Sequence, residues 1–518
     1  MKKILLVLIL FNFAQANSQE KIGEFNHKSK TSNNDIIRST SIFNYKNNNI
    51  ATFILKGENI YGYLLNSNFQ FIKKINIKNI NPKYNILIGS FYDKNDSYNL
   101  ILSNKIKNKF IFITFSFNSN NTVTRFHNLK NNNLVFLQSV SKSNICYLLF
   151  LNKKNSNIIS KSYNSSGEKS TRVFDFHKTN FLINETKRVS LKKLITDFTK
   201  PNNNKIKNLE YELTKINETT QKNSVDEKPF FNNSIQKSYT PPHSIEITSR
   251  FSKLYVRDNT TIITLDKNRF YTQILKLNLD KGDYTFEKIK KPLFKEKSIR
   301  KRSNSFIHED KIFLITATKK KLNCSIHNLH TLKKIKEIKA NYNSPISFKN
   351  SLITQEGGAF KKHREFDNTS KFLRKVSESN IGIGVIKNNT EYEMIIGSEK
   401  LAEDGYNMVF DAISLGLGIY TNSLSYGSFS SYLTTKSVKF HSLFDENLNH
   451  KKGKIKKNIY DNIIVFIKLD KQQNIDDVYY SQIEDLNQPK GINIFKLNNN
   501  IVLGYYHPKT QKYLFHKF

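Results

Sequence analysis

His308-Glu309-Asp310 sets an imidazole and two carboxylates in succession, the donor types that hold a divalent cation or move a proton. They stand just before the apolar run Lys311 to Thr316, and neighbours on a strand point to opposite faces, so a hairpin turn is expected instead of a shared ligand. Asp93, Asn95, Asp96 and Ser97 form an oxygen-rich loop, but Lys94 sits among them. Asp and Asn also build turns by bonding their own backbone, and a turn is expected here too. Glu403 and Asp404 pair two carboxylates ahead of Gly405, and Glu356-Gly357-Gly358 is a lone glycine pair that matches no phosphate-binding spacing. HExxH, CxxC, calcium-loop, nucleophile-elbow and P-loop spacings do not occur. No catalytic, cofactor-binding or metal-binding residue is assigned, and no cofactor is implied. Cys146 and Cys324 lie in apolar, strand-like surroundings, where free buried thiols acting as small hydrophobes are expected over a disulfide.

A different kind of chemistry is offered by residues 398–432. Tyr406, Val409, Phe410, Ile413, Leu417 and Tyr420 follow helical spacing, and Met408, Ala412, Leu415 and Ile419 make the opposite face apolar as well. The stretch from Tyr420 to Tyr432 then mixes aromatics with Ser and Gly. Such mixtures suit recognition, because rings give contact area at low entropy cost while small residues adapt. Tyr406, Phe410, Leu417, Tyr420, Tyr426, Phe429 and Tyr432 are therefore the candidate partner-contact residues; a buried helix followed by an irregular strand is the competing reading.

These groups have to be positioned by the repeat that dominates the chain. Asn49 to Leu55 turns at Lys56-Gly57-Glu58-Asn59 into Ile60 to Leu65, and Phe69 to Ile77 then alternates apolar and polar residues as a half-buried strand should. Similar pairs are Ser97–Leu102 with Phe110–Phe117, Ile145–Leu151 with Asn157–Tyr163, and Thr261–Leu265 with Tyr271–Leu279. Lys311–Thr316 with Leu322–Leu329 and Ile501–Tyr506 with Lys512–Phe518 complete the series. Successive hairpins start roughly 40–50 residues apart, the spacing of four-stranded propeller blades. Across residues 40–180 and 245–518 the pattern resembles β-propeller repeat proteins in general. It is not of the WD40, kelch or Asp-box kind, because tryptophan, paired blade glycines and the Asp-box turn are missing. The resemblance implies an all-β propeller of six to eight blades, seven being central, and transfers no site residue. Two stacked sandwich or smaller propeller domains divided near 180–245 are the alternative.

Two insertions interrupt the repeat. In 181–243, Leu191, Leu194, Ile195 and Phe198 are spaced for one helix, with Asn184 or Thr186 as its cap, and Ile206, Leu209, Leu213 and Ile216 for a second. Helical insertions are thus expected near 184–218 and 399–420. The domain plan is a leader at 1–16, the first blades at 17–180, an insertion or linker at 181–243, and the remaining blades at 244–518. The leader has Lys2 and Lys3, an apolar core from Ile4 to Phe13, and Ala14-Gln15-Ala16 as a small-x-small cleavage site. It predicts export to the periplasm or beyond, with no transmembrane segment in the mature chain.

The 82 Lys+Arg outnumber the 43 Asp+Glu, for a formal charge of +39. Lysine is dispersed along the chain alongside abundant Asn and Ile, so most of it, including Lys288 to Arg302 and Lys451 to Lys457, is expected on solvated loops. The function expected is an exported, non-catalytic propeller binding a protein or cell-envelope component. The alternatives are a hydrolase or lyase with its site on the propeller axis, and a basic adhesin binding anionic polysaccharide. Nucleic acid is not expected as a partner.

Overall fold

The apolar runs become the middle strands of seven antiparallel sheets. In the computed structural model, described for residues 20–28, 36–93, 97–129, 133–142, 144–197, 210–211, 213–216, 241–257, 260–295, 301–356, 363–400, 436–469, 489–497 and 500–518, these sheets are the blades of a seven-bladed β-propeller. Blade 1 is Ile37–Asn44, Asn49–Lys56, Asn59–Leu65 and Phe71–Ile77. Blade 2 is Ile86–Tyr92, Ser97–Ser103, Lys109–Ser116 and Asn121–Asn128. Blade 3 is Leu134–Lys142, Ile145–Asn152, Ile158–Asn164 and Gly167–Phe174. Blade 4 is Ser252–Arg257, Thr260–Leu265, Tyr271–Leu277 and Tyr284–Lys290, and blade 5 is Arg302–His308, Lys311–Ala317, Lys321–Asn328 and Lys334–Asn341.

The last two blades depart from simple succession. Blade 6 takes Asn380–Asn388, Glu391–Lys400 and Lys436–Phe444, and borrows its outer strands, Ile353–Glu356 and Arg364–Phe366, from earlier in the chain. Blade 7 takes Lys490–Leu497, Asn500–His507 and Lys512–Lys517, and its outermost strand is the N-terminal Glu20–Asn26. The ring is therefore closed by hydrogen bonds between the two ends of the described chain. The first hairpin readable in the sequence belongs to blade 1, and the strand Glu20–Asn26 ahead of that blade belongs to blade 7.

Each middle strand is buried on both faces, which is why it reads as a nearly continuous apolar run. In Ile145–Asn152, Cys146, Leu148 and Phe150 pack towards blade 2 with Ile101 and Phe110. Tyr147, Leu149 and Leu151 point the other way, to Ile263, Leu275 and Leu277 of blade 4. This two-residue alternation, repeated around the ring, makes the core a set of interfaces between blades. Outer strands such as Asn121–Asn128 face water along most of their length. Blades 6 and 7 meet through a helix, Ile459–Leu469, whose Tyr460 and Ile463 pack with Ile386, Ile501 and Leu503.

The insertion at 181–243 differs from its expected helical hairpin. Its helix is five residues, Leu191–Ile195, followed by the strand Thr196–Asp197 paired with Glu210–Tyr211. Leu213 and Ile216, spaced for a second helix, lie in and beside the strand Thr214–Ile216, which runs parallel to the inner strand of blade 4. That sheet edge offers backbone partners, and burial of Leu213 and Ile216 against neighbouring blades decides the outcome over local periodicity. Asn184 caps no helix: its Oδ1 accepts from the amides of Thr186 at 3.1 Å and Lys187 at 2.7 Å, forming a turn. At the other insertion, Ser398, Glu399 and Lys400 finish a strand of blade 6, and the proposed helix lies outside the described residues. Three further helices among the described residues escaped the sequence reading, Ile245–Thr248, Thr369–Val376 and Ile459–Leu469.

Candidate functional site

Tyr406, Phe410, Leu417, Tyr420, Tyr426, Phe429 and Tyr432 all fall in 401–435, outside the described residues, as do Glu403 and Asp404. The topology nevertheless fixes where this segment leaves and rejoins the ring. Lys400 and Lys436 are cross-strand partners, so 401–435 joins the second and third strands of blade 6. In every blade that turn lies at the end where the first strand begins, as the pairing of Ile37 with Lys56 shows for blade 1. The connections between blades enter at the same end, where Lys490 begins the first strand of blade 7. We call it the entry end.

The other groupings behave as turns or as core. His308 pairs with Lys311 across a turn through Glu309 and Asp310. The Asp93 amide donates to the Ser97 carbonyl at 2.7 Å, with 94–96 outside the described residues. Glu356 ends a strand, and Gly357 and Gly358 are likewise undescribed. Cys146 and Cys324 are free and buried in blades 3 and 5, and burial pushes their thiols up to about 11 and about 12. At such values they stay protonated and unreactive near neutral pH. Among the described residues, no three His, Cys, Asp or Glu side chains gather to hold a metal ion.

The strongest concentration of buried charge was not legible in any motif. Asp266, in the second turn of blade 4, is flanked by Lys253 at 3.1 Å on Oδ2 and Lys291 at 3.1 Å on Oδ1, all three side chains fully enclosed. Thr272 and Ser305 hydroxyls donate to the same carboxylate at 2.7 and 2.6 Å. Lys253 Nζ also donates to the Arg250 carbonyl and to Asn304 Oδ1, each at 2.6 Å. Lys291 Nζ reaches the carbonyls of Asp266 at 3.0 Å and Asn268 at 2.9 Å. Asn304 Nδ2 carries the network into blade 6 through the Ile381 carbonyl at 2.9 Å. Burial pushes the Asp266 carboxyl up, but Lys291 and Lys253, with the Ser305 and Thr272 hydroxyls, outweigh it and hold it at about 2. Burial lowers Lys291 to about 8, with Asp266 opposing and the like charge of Lys253 adding to the effect. Lys291 and the buried Lys301 thus correct the expectation that the Lys288 to Arg302 stretch is wholly solvated.

This network is one sector of a set of polar ties between inner strands. Ser39 Oγ donates to the Gly491 carbonyl between blades 1 and 7, Arg38 to the Asn85 carbonyl between blades 1 and 2, and Ser139 Oγ to the Ile88 carbonyl between blades 2 and 3. Lys215 Nζ donates to the Ser139 carbonyl at 3.0 Å, linking blade 3 to the parallel strand of blade 4. A second cluster lies at the junction of blade 6 with the helix Ile459–Leu469. His441 Nδ1 stands 2.7 Å from Glu393 Oε1, and Asn458 Nδ2 donates to Glu393 Oε2 at 3.1 Å. Burial pushes Glu393 up, yet His441 and Asn458 leave it below its ordinary value, while burial raises Asp461. An oriented imidazole of this kind could move protons, but Asn458 also caps the helix through the amides of Tyr460 and Asp461, both at 3.0 Å. That gives the cluster a structural role.

Exposed charge is divided between the two ends of the ring. The turns between second and third strands carry Lys56 and Glu58 in blade 1, Lys105 and Lys107 in blade 2, and Lys153 and Lys154 in blade 3. Lys267 and Arg269 follow in blade 4, Lys319 to Lys321 in blade 5, and Lys509 in blade 7. Glu58 is the lone exposed acid among these described turns, Asp266 being enclosed. At the opposite end acids stand among the bases: Asp93, Asp280, Asp283, Glu309, Asp310, Glu391, Asp445 and Glu446 beside Lys46, Lys142, Lys281, Lys311, Lys333 and Lys334. The Lys451 to Lys457 stretch, folding back from that end of blade 6, is an exception to the division. The sequence hid this asymmetry because lysine is spread evenly along the chain, while the topology gathers alternate turns at alternate ends.

No protein-family model and no curated protein matches the chain. Among solved structures it is similar to a prolyl endopeptidase at 6% identity and a TM-score of 0.29, over 71% of this chain and 47% of that one. The chain thus spans about half the length of that enzyme. It is also similar to an ACO/RPE65 chimera at 6% identity and a TM-score of 0.28, over 59% of this chain and 61% of that one. A mutant of AofleA from Arthrobotrys oligospora matches at 8% identity and a TM-score of 0.23, over 73% of this chain and 85% of that one. Likenesses of this size carry no argument about function; the propeller architecture rests on the strand pairings themselves.

Proposed function

We propose that the chain is an exported, non-catalytic propeller that binds a protein or cell-envelope component through its entry end. The observation that carries this reading is the presence, at one end of a rigid ring, of the basic turns together with Lys400 and Lys436, between which 401–435 is inserted. Rigid scaffolds present binding residues on loops in this way, because the scaffold supplies the stability the loops lack. The candidate contact residues lie in 401–435, the segment between Lys400 and Lys436, which are cross-strand partners at this end.

Because Lys400 and Lys436 face each other across a strand pair, 401–435 can be replaced by Asn-Gly to close a two-residue hairpin. The replaced chain should melt with the intact chain. It should recover far less of any partner captured from envelope extracts by the intact protein. Equal recovery by both would remove 401–435 from the binding surface.

A further inference from the structure

Resting on the reading above, we infer that the entry end binds an extended anionic polysaccharide, held by ammonium groups on successive blades. Lys105, Lys154, Arg269, Lys320 and Lys509 are exposed on the second turns of five different blades. These turns are fixed in shape by their own hydrogen bonds. Asn104 Oδ1 accepts from the Asn108 and Lys109 amides at 3.0 and 2.9 Å, Asn152 Oδ1 from the Lys154 amide at 3.0 Å, and Thr318 Oγ1 from the Lys321 amide at 3.1 Å. Charges displayed on rigid turns lose little backbone freedom on binding, so several weak contacts add up along one polymer.

The chemistry of the turns favours acidic sugars over nucleic acid. Lysine is a point charge that pairs with a carboxylate or sulfate at many angles, whereas bidentate phosphate and base recognition is the province of arginine. Among the turns named above, Arg269 is the lone arginine. A ring is also available beside the richest turn. Tyr342 is 47% exposed, and its amide donates to the Lys320 carbonyl at 2.9 Å, which sets this residue beside the turn of Lys319, Lys320 and Lys321. An amphipathic ring flanked by ammonium groups can take the apolar face of a sugar while a lysine meets its carboxylate.

The test compares two variants of the full-length protein with identical change in net charge. One carries Lys105→Glu, Lys154→Glu and Lys320→Glu at the entry end; the other carries Lys46→Glu, Lys281→Glu and Lys333→Glu at the opposite end. Binding of fluorescent polygalacturonate is titrated at two salt concentrations, with neutral dextran and duplex DNA alongside, and thermal melting confirms that both variants fold. The entry-end variant should bind polygalacturonate about tenfold more weakly or worse and show a shallower salt dependence, and the other should change by less than about threefold. Tyr342→Ala should weaken binding without altering the salt slope. Equal losses in the two charge variants, or no saturable polygalacturonate binding to the native protein, would overturn the assignment. Tighter binding of DNA with the same dependence on the entry end would overturn it in favour of nucleic acid. If polygalacturonate fails while partner recovery still depends on 401–435, the binding-module reading stands and the polysaccharide does not.

Discussion

Asp266 is one carboxylate serving two lysines, so the enclosed site carries an excess positive charge that only hydrogen bonds offset. Removing the shared acid and removing one base should therefore have unequal consequences. Asp266→Asn keeps the shape but leaves two ammonium groups buried without a counter-charge, and should cost about 3 kcal/mol or more. Lys291→Met leaves the Lys253–Asp266 pair intact and takes away a base whose charge burial disfavours, so it should cost clearly less. Urea unfolding of both variants would decide it. Similar midpoints for the two would mean that the network is not organised around Asp266. None of this was readable from residue types, because Lys253, Asp266 and Lys291 stand in three separate segments joined only by the fold of blade 4.

At the level of elements, the seam between blades 7 and 1 holds a buried histidine that couples ring closure to pH. His27 follows the closing strand Glu20–Asn26, and its Nδ1 lies 2.7 Å from the Tyr63 hydroxyl of blade 1. The rings of Tyr61 and Tyr506 meet it edge-on, and the facing charged groups are Lys74 and Lys56. Burial first, and then these two lysines, lower its imidazole to about 4. An unfolded chain takes up a proton near pH 6.5, so the contribution of a neutral His27 is complete above that value. It is lost as pH falls from about 6.5 towards 4, up to about 3 kcal/mol. The urea midpoint should drop between pH 7 and pH 5, and His27→Asn should flatten that drop. An unchanged slope in the variant would place the acid sensitivity elsewhere, such as His243, which burial also lowers to about 4.

For the whole molecule, closure by the N-terminal strand makes the ring a cooperative object. Phe25 stacks on Tyr63 and joins Ile50, Ile54 and Phe515 in the core between blades 7 and 1. Deleting residues 20–26 would strip that cluster and leave Lys512–Lys517 as an open sheet edge, which invites association with other chains. The truncated protein should melt several degrees lower and aggregate, and a synthetic peptide of residues 17–35 should restore the melt by strand addition. A truncated chain that melts with the intact one would show that closure contributes nothing.

The sequence by itself determined the middle strands, because a strand buried on both faces needs an apolar residue at nearly every position. Ile145 to Leu151 and Lys311 to Thr316 are legible for that reason, and their spacing yields the blades and their number. Free buried cysteines and the turn at His308 to Asp310 followed from the same logic. Only the tertiary structure decided what depends on contacts between distant segments. Glu20–Asn26 has no apolar run and becomes a strand because the ring offers it an edge; Leu213 and Ile216 abandon helical spacing for the same cause. The candidate site was hidden for a related reason: alternate turns of an antiparallel blade go to opposite ends, so neighbours in the sequence part company, and the bases of the second turns are separated from the acids of the other turns only in three dimensions.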